Sequence, residues 1–169
     1  TCGVCAGGTT GVVPNTSCVG CVPNEVVSFS LMQADAGDSV IRQLVNGDII
    51  YKSVVGQFSV RANICNGGTV GSVVFNLSGN DIQTENMAPY AINGDKSGDY
   101  SPWDPATGTY VLTATPYSNG NAGGTAGVAE VITITILDNP PVVDCNGDTN
   151  GTANLDLCGV CSGGNTGLT

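Results

Sequence analysis

Apolar and polar residues alternate through most of the middle of this chain, the period of a half-buried strand. Over residues 26–33, Val27, Phe29 and Leu31 fall on one face. Two β-branched runs, 39–45 and 49–55, are separated by an Asn46-Gly47-Asp48 turn. Residues 57–64 alternate through Phe58 and Val60, and further strands are expected at 71–78, 108–115 and 129–137. The last contains Val131, Ile132, Thr133, Ile134, Thr135 and Ile136, all β-branched. Gly, Asn and Asp signals separate these runs at close to the roughly 8–12-residue spacing of a sandwich. No segment shows the period of an amphipathic helix. About seven to nine short strands predict an all-β, antiparallel β-sandwich, immunoglobulin-like or jelly roll.

Three segments follow. Residues 1–23 form a Cys- and Gly-rich linker, residues 24–138 the sandwich, and residues 139–169 a second linker that opens on a hinge at Pro140 and Pro141, since paired prolines end strands. The two linkers share a motif. Cys2-Gly-Val-Cys-Ala-Gly-Gly-Thr-Thr-Gly11 returns as Cys158-Gly-Val-Cys-Ser-Gly-Gly-Asn-Thr-Gly167, with only two positions changed. A unit that opens and closes on the same linker can be joined to further copies of itself. The expectation is a window of a longer repeating or end-joined molecule.

Composition narrows the function. Four basic residues stand against fourteen acidic ones, a net charge of −10. That balance excludes nucleic acid and anionic membrane surfaces, both of which need clustered Lys and Arg. No apolar run is long enough for membrane insertion. Histidine is absent, and with it the usual general base at neutral pH. No Ser/His/Asp set exists and the acids fall mainly in turns, so the expectation is that the chain is not an enzyme.

The eight cysteines lie in Gly-, Asn- and Thr-rich segments, which reads as a disulfide framework and an extracellular or cell-surface location. Spacing does not by itself select one connectivity. Cys145 and Cys158 bracket an acidic loop, and Cys5 and Cys18 bracket a Gly-rich one, so each pair is expected to bond. The repeat then leaves Cys2 and Cys161 to bond adjoining chain or a neighbouring subunit, and Cys21 and Cys65 to tether linker to sandwich. Cys2, Cys5, Cys18 and Cys21 also have the outline of a four-thiolate zinc site. The second Cys-x-x-Cys has no such companion pair, which favours disulfides.

The acidic loop is the sharpest candidate site. Asp144, Asn146, Asp148 and Asn150 place oxygen side chains at alternate positions, Gly151 follows, and Asp156 comes near the end. Alternate residues converging on an ion, with glycine for the sharp turn, is the pattern of a calcium loop. It resembles thrombospondin type-3 and dockerin-type calcium loops. It departs from the EF-hand pattern in having Leu157 where a bidentate Glu would stand, so the expected cofactor is weakly bound calcium.

Further motifs imply glycans. Asn15, Asn76 and Asn150 head glycosylation sequons, and Asp38-Ser39-Val40 resembles a bacterial O-glycosylation acceptor at Ser39. Tyr100 and Trp103 lie in a predicted loop and would stack a sugar ring if exposed; otherwise Trp103 plugs the end of the sandwich.

The strand from Gly108 through Tyr110 and Leu112 to Ala114 resembles the tyrosine-corner strand of immunoglobulin-like modules. Arg61-Ala-Asn63, Gly71-Ser-Val-Val-Phe75, Thr84-Glu-Asn86, Ala88-Pro-Tyr90 and Thr113-Ala-Thr-Pro-Tyr-Ser118 extend the resemblance to β-sandwich accessory modules of secreted Bacteroidetes-type surface proteins. The Cys-Gly-Val-Cys segments resemble the cysteine-rich linker repeats of such proteins. These resemblances imply a surface, adhesive or filament-forming role. The expectation is a structural repeat of an extracellular bacterial filament, a homopolymer assembled head-to-tail through disulfide- and calcium-stiffened linkers. The alternative is a carbohydrate-binding or adhesin module of a larger secreted protein.

Overall fold

The computed structural model describes residues 22–35, 37–65 and 69–168. Its first sheet has four strands in the order β2 (Val40–Leu44), β1 (Val26–Gln33), β4 (Phe58–Ile64), β7 (Tyr90–Ala91). The second has five, in the order β3 (Asp48–Tyr51), β11 (Glu130–Leu137), β10 (Gly108–Tyr117), β5 (Ser72–Leu77), β6 (Asn80–Glu85). Neighbours are antiparallel except β3, which runs parallel to β11. The run β11, β10, β5, β6 corresponds to the G, F, C, C′ order of an immunoglobulin-like sandwich. Two small hairpins complete the strands of the described residues: β8 (Asp95–Lys96) with β9 (Asp99–Tyr100), and β12 (Asn154–Leu155) with β13 (Cys161–Ser162).

Alternation places the core. On β11, Ile132, Ile134 and Ile136 point inward while Val131, Thr133 and Thr135 face out; on β10, Leu112 and Ala114 point inward. They meet Phe29, Leu31 and Val60 from the first sheet and Val73 and Phe75 from β5 in one cluster. Each fully buried Leu, Ile or Phe contributes roughly 1.5–3 kcal/mol of transfer free energy, so the facing sheets make the principal core.

Three expectations need correction. Val27 does not share the face of Phe29 and Leu31: a bulge between Val26 and Ser28 turns Val26 inward and leaves Val27 exposed. The run 49–55 is not one strand, because β3 ends at Tyr51 and a single helical turn, α1 (Lys52–Val55), follows, closed by Gly56 at φ +68°. The Asn46-Gly47-Asp48 turn, with Gly47 at φ +89°, does not pair its flanking strands either; β2 and β3 lie in different sheets. Its geometry is fixed by Asp48, whose carboxylate takes the Arg42 guanidinium and the Val45 amide.

The first and last residues of the sandwich are both tied into it. The Val26 amide donates to Val128 and the Val128 amide to Asn24, and a Cβ on Gly127 would collide with the Asn24 backbone. At the other end, Ser53 N–H donates to Asp138 O at 2.9 Å, and Lys52 Nζ lies 2.6 Å from Asp104 and 3.8 Å from Asp138.

Candidate functional site

The segment after Pro141 is built from two copies of one turn, twelve residues apart. In the first, Asp144 Oδ1 accepts the amides of Asn146 (3.0 Å) and Asp148 (2.9 Å), and Gly147 N–H closes onto Asp144 O. In the second, Asp156 Oδ1 accepts the amides of Cys158 (2.8 Å) and Val160 (2.9 Å), and Gly159 N–H closes onto Asp156 O. Gly147 and Gly159 occupy the same corner at φ +88° and +78°, which only glycine adopts without strain. The shared signature is Asp-x-x-Gly, legible in the sequence at Asp144 and Asp156 but read there as metal ligands. The aspartates act as Asx caps that satisfy backbone donors in a segment with almost no core. Ala153 is its buried apolar residue.

Asp144 has a further role. Its Oδ2 accepts the Ala153 amide at 2.9 Å, tying the first turn to the β12 strand. That bond, more than those from Asp148, Asn146 and Gly147, holds the carboxyl below the usual carboxylate range against the opposing effect of desolvation. A side chain on Gly151 would run into this carboxylate.

The disulfide expectation for this loop is overturned. Cys145 bonds Cys161, not Cys158, with the Cα atoms 5.7 Å apart. The reason is the second turn. It places Leu157 and Cys158 at its exposed tip, while the β12–β13 pairing of Leu155 with Cys161 carries Cys161 back toward Cys145. Cys161 is therefore not left to bond a neighbour; among the described residues the exposed thiol is Cys158. Cys65 is disulfide-bonded, and its expected partner Cys21 lies outside the described residues, as do Cys2, Cys5 and Cys18.

Of the five proposed calcium ligands, Asp144, Asn146 and Asp148 share the first turn, whereas Asp156 caps the second. Asp144 and Asp156 are engaged with amides, and Asp148 Oδ2 accepts from Asn146 Nδ2 at 3.0 Å. Among the described residues no group of three or more acidic, cysteine or histidine side chains is placed to hold a metal. Asn150, at φ +54°, uses its amide on Val142 O.

The aromatic candidates are buried, which corrects the sugar-stacking expectation. Trp103 joins the main core, its ring edge-on to Phe58 at 5.8 Å between centroids. Its amide donates to Phe58 O at 2.7 Å. Tyr100 packs with Met32, Ala34 and Ala91 in a smaller cluster on the outer side of the first sheet. Neither ring offers a face to a saccharide.

Among the sequons, Asn76 has its side chain committed, donating to Asp81 Oδ1 and accepting the Gly79 amide, each at 2.8 Å. Asn150 is exposed. Ser39 is exposed and donates to Gln33 Oε1 at 3.0 Å. Asn15 lies outside the described residues. No helix among them is long and apolar enough to cross a membrane.

The chain matches no family model and no curated protein. Among solved structures, the fibronectin(III)-like modules of CbhA from Clostridium thermocellum align with 13% identity and a TM-score of 0.35, over 57% of this chain and 94% of that one. The assignment of this chain as a β-sandwich rests on the sheet order and the shared core described above.

Proposed function

We propose that this chain is a repeating structural unit of an extracellular bacterial surface fibre, non-catalytic, assembled from copies of itself through its cysteine-rich linkers. The observation that carries this reading is the repeated decapeptide that brackets the sandwich, together with the folded state of its second copy. That copy forms part of a compact, disulfide-closed unit of two Asp-capped turns, not a loose tail. A short cross-linked segment of this kind keeps its shape with little core. Ion pairs from Lys52 to Asp104 and Asp138 fasten the sandwich where that segment begins, which suits a spacer of fixed length.

Calcium has a secondary part in this reading. With most of the loop's oxygens engaged by amides, the ion would bind weakly and reinforce a linker that its disulfide already closes. Glycans at Asn150 or Ser39 would decorate the fibre surface. The second reading, an adhesin or carbohydrate-binding module of a larger secreted protein, lacks the aromatic platform it called for at Trp103. Sedimentation of the purified chain tests the proposal: growth into species much larger than one chain, reversed by reductant, supports it. A monomer at every concentration, with and without reductant, contradicts it.

A further inference from the structure

A groove at the edge of the first sheet, where β7 lies beside β4, holds a guanidinium that no carboxylate partners. Among the described residues, Arg42 is paired with Asp48, and Lys52 with Asp104 and Asp138, whereas Arg61 and the exposed Lys96 have no acidic neighbour within ion-pair distance. In a chain with fourteen acids and four bases, a half-buried arginine left without a counter-charge needs a reason.

Arg61 is also held in place. Its Nε donates to Asn63 Oδ1 at 3.0 Å, and one terminal nitrogen reaches Tyr100 Oη at 3.4 Å. Asn63 is anchored in turn: its Nδ2 donates to Ser28 Oγ at 3.0 Å and to Ser30 Oγ at 2.9 Å. Ser28 lies across the strand pair from Asn63 and Ser30 from Arg61, so register fixes the chain of contacts. Asn63 takes the Nε edge of the guanidinium and Tyr100 one terminal N–H, which leaves donors on both terminal nitrogens for the planar fork that matches a carboxylate. The fork borders a cavity of about 420 Å3 whose other walls include Ala62, Ile64, Ala88 and Pro89. That volume sits at the small end of the roughly 300–1,000 Å3 found for small-molecule sites.

We propose that this groove binds a single acidic sugar ring, its carboxylate on the Arg61 fork and its C–H face against Pro89. A peptide carboxylate fits less well. An extended peptide would need a strand edge to pair with, and the edge here is β7, only two residues long. The net charge of −10 opposes any anion at long range, but that field is screened beyond about 8 Å at physiological salt, whereas a contact pair is not. This inference is independent of the fibre proposal.

The test is titration of the intact chain with D-galacturonate, followed by the NMR signals of the Arg61 side chain and by calorimetry, with methyl galactoside and N-acetylalanine as companion probes. Saturable galacturonate binding that shifts Arg61 is expected, without binding of the neutral sugar. Arg61→Gln should weaken it at least about tenfold. Arg61→Lys keeps the charge but not the fork and should not restore it. Asn63→Ala keeps the guanidinium, frees its anchor and should weaken binding by a smaller factor. Because the Arg61 signal is read in the unaltered protein, a variant that fails to fold does not blunt the test. Unsaturable galacturonate binding, equal binding of methyl galactoside, unchanged affinity in Arg61→Gln, or binding of N-acetylalanine alone would each overturn the proposal.

Discussion

The Tyr110 hydroxyl donates to the carbonyl of Ala106, four residues upstream, at 3.0 Å. The ring packs against the main core while its oxygen reaches back over the start of β10. This is the tyrosine corner of immunoglobulin-like modules, and it pins the loop that delivers Trp103 to the core. Tyr110→Phe keeps the ring and removes the bond. Because the site is partly solvated, the loss should be about 0.5–1 kcal/mol, a fall in Tm on the order of 4 °C. Thermal unfolding followed by circular dichroism checks it; an unchanged Tm would remove the corner from the account.

The linker disulfide gives a second prediction. Digestion without reduction should yield a peptide cross-linked between Cys145 and Cys161, with Cys158 open to alkylation. Cys158→Ser should leave the turns intact, whereas Cys145→Ser or Cys161→Ser should loosen the segment. The Cys145–Cys161 bridge spans 16 residues, a loop for which chain entropy alone gives roughly 3 kcal/mol. Reduction should therefore loosen the linker far more than removal of calcium by a chelator, and amide exchange at Ala153 ranks the two.

Acid should act oppositely on the two parts of the chain. Asp144 has a folded pKa below its unfolded one, chiefly through the Ala153 amide. Its contribution is present above the unfolded pKa and is lost as pH falls through the folded value, so the linker loosens below the ordinary carboxylate range. Glu130 is the reverse: burial, and then the charge of Glu25, raise its pKa. The native state holds that proton more tightly, so the penalty is full above the folded pKa and fades as pH falls toward the unfolded value. Glu130→Gln should raise Tm slightly at neutral pH, by an amount that shrinks on acidification, while Ala153 exchange quickens. A parallel response in both regions would contradict this assignment.

Much of the sandwich is legible in the sequence, because burial on one face of a strand imposes a period of two. The alternation of Ile132, Ile134 and Ile136 and the position of Tyr110 identify β11 and β10 directly. Where a strand is bulged the period fails, and Val27 reads as core although it is exposed. Strand β6 was not legible, since Asn80 to Glu85 is polar and exposed at a sheet edge. The linker was half legible. Its aspartates and glycines stand out, but the same residues serve an ion or a backbone amide, and only geometry separates the two uses. Arg61-Ala-Asn63 was legible only as part of a resemblance to sandwich modules; its role as an anchored guanidinium was not, because that depends on Ser28 and Ser30 across the strand and on Tyr100 far along the chain.

Electron microscopy of the native extracellular material is the most direct test of the fibre proposal. The account predicts uniform fibres with a regular axial repeat set by one sandwich and one linker, and shortening of those fibres on reduction. Dispersed particles of single-chain size, unchanged by reductant, would contradict it.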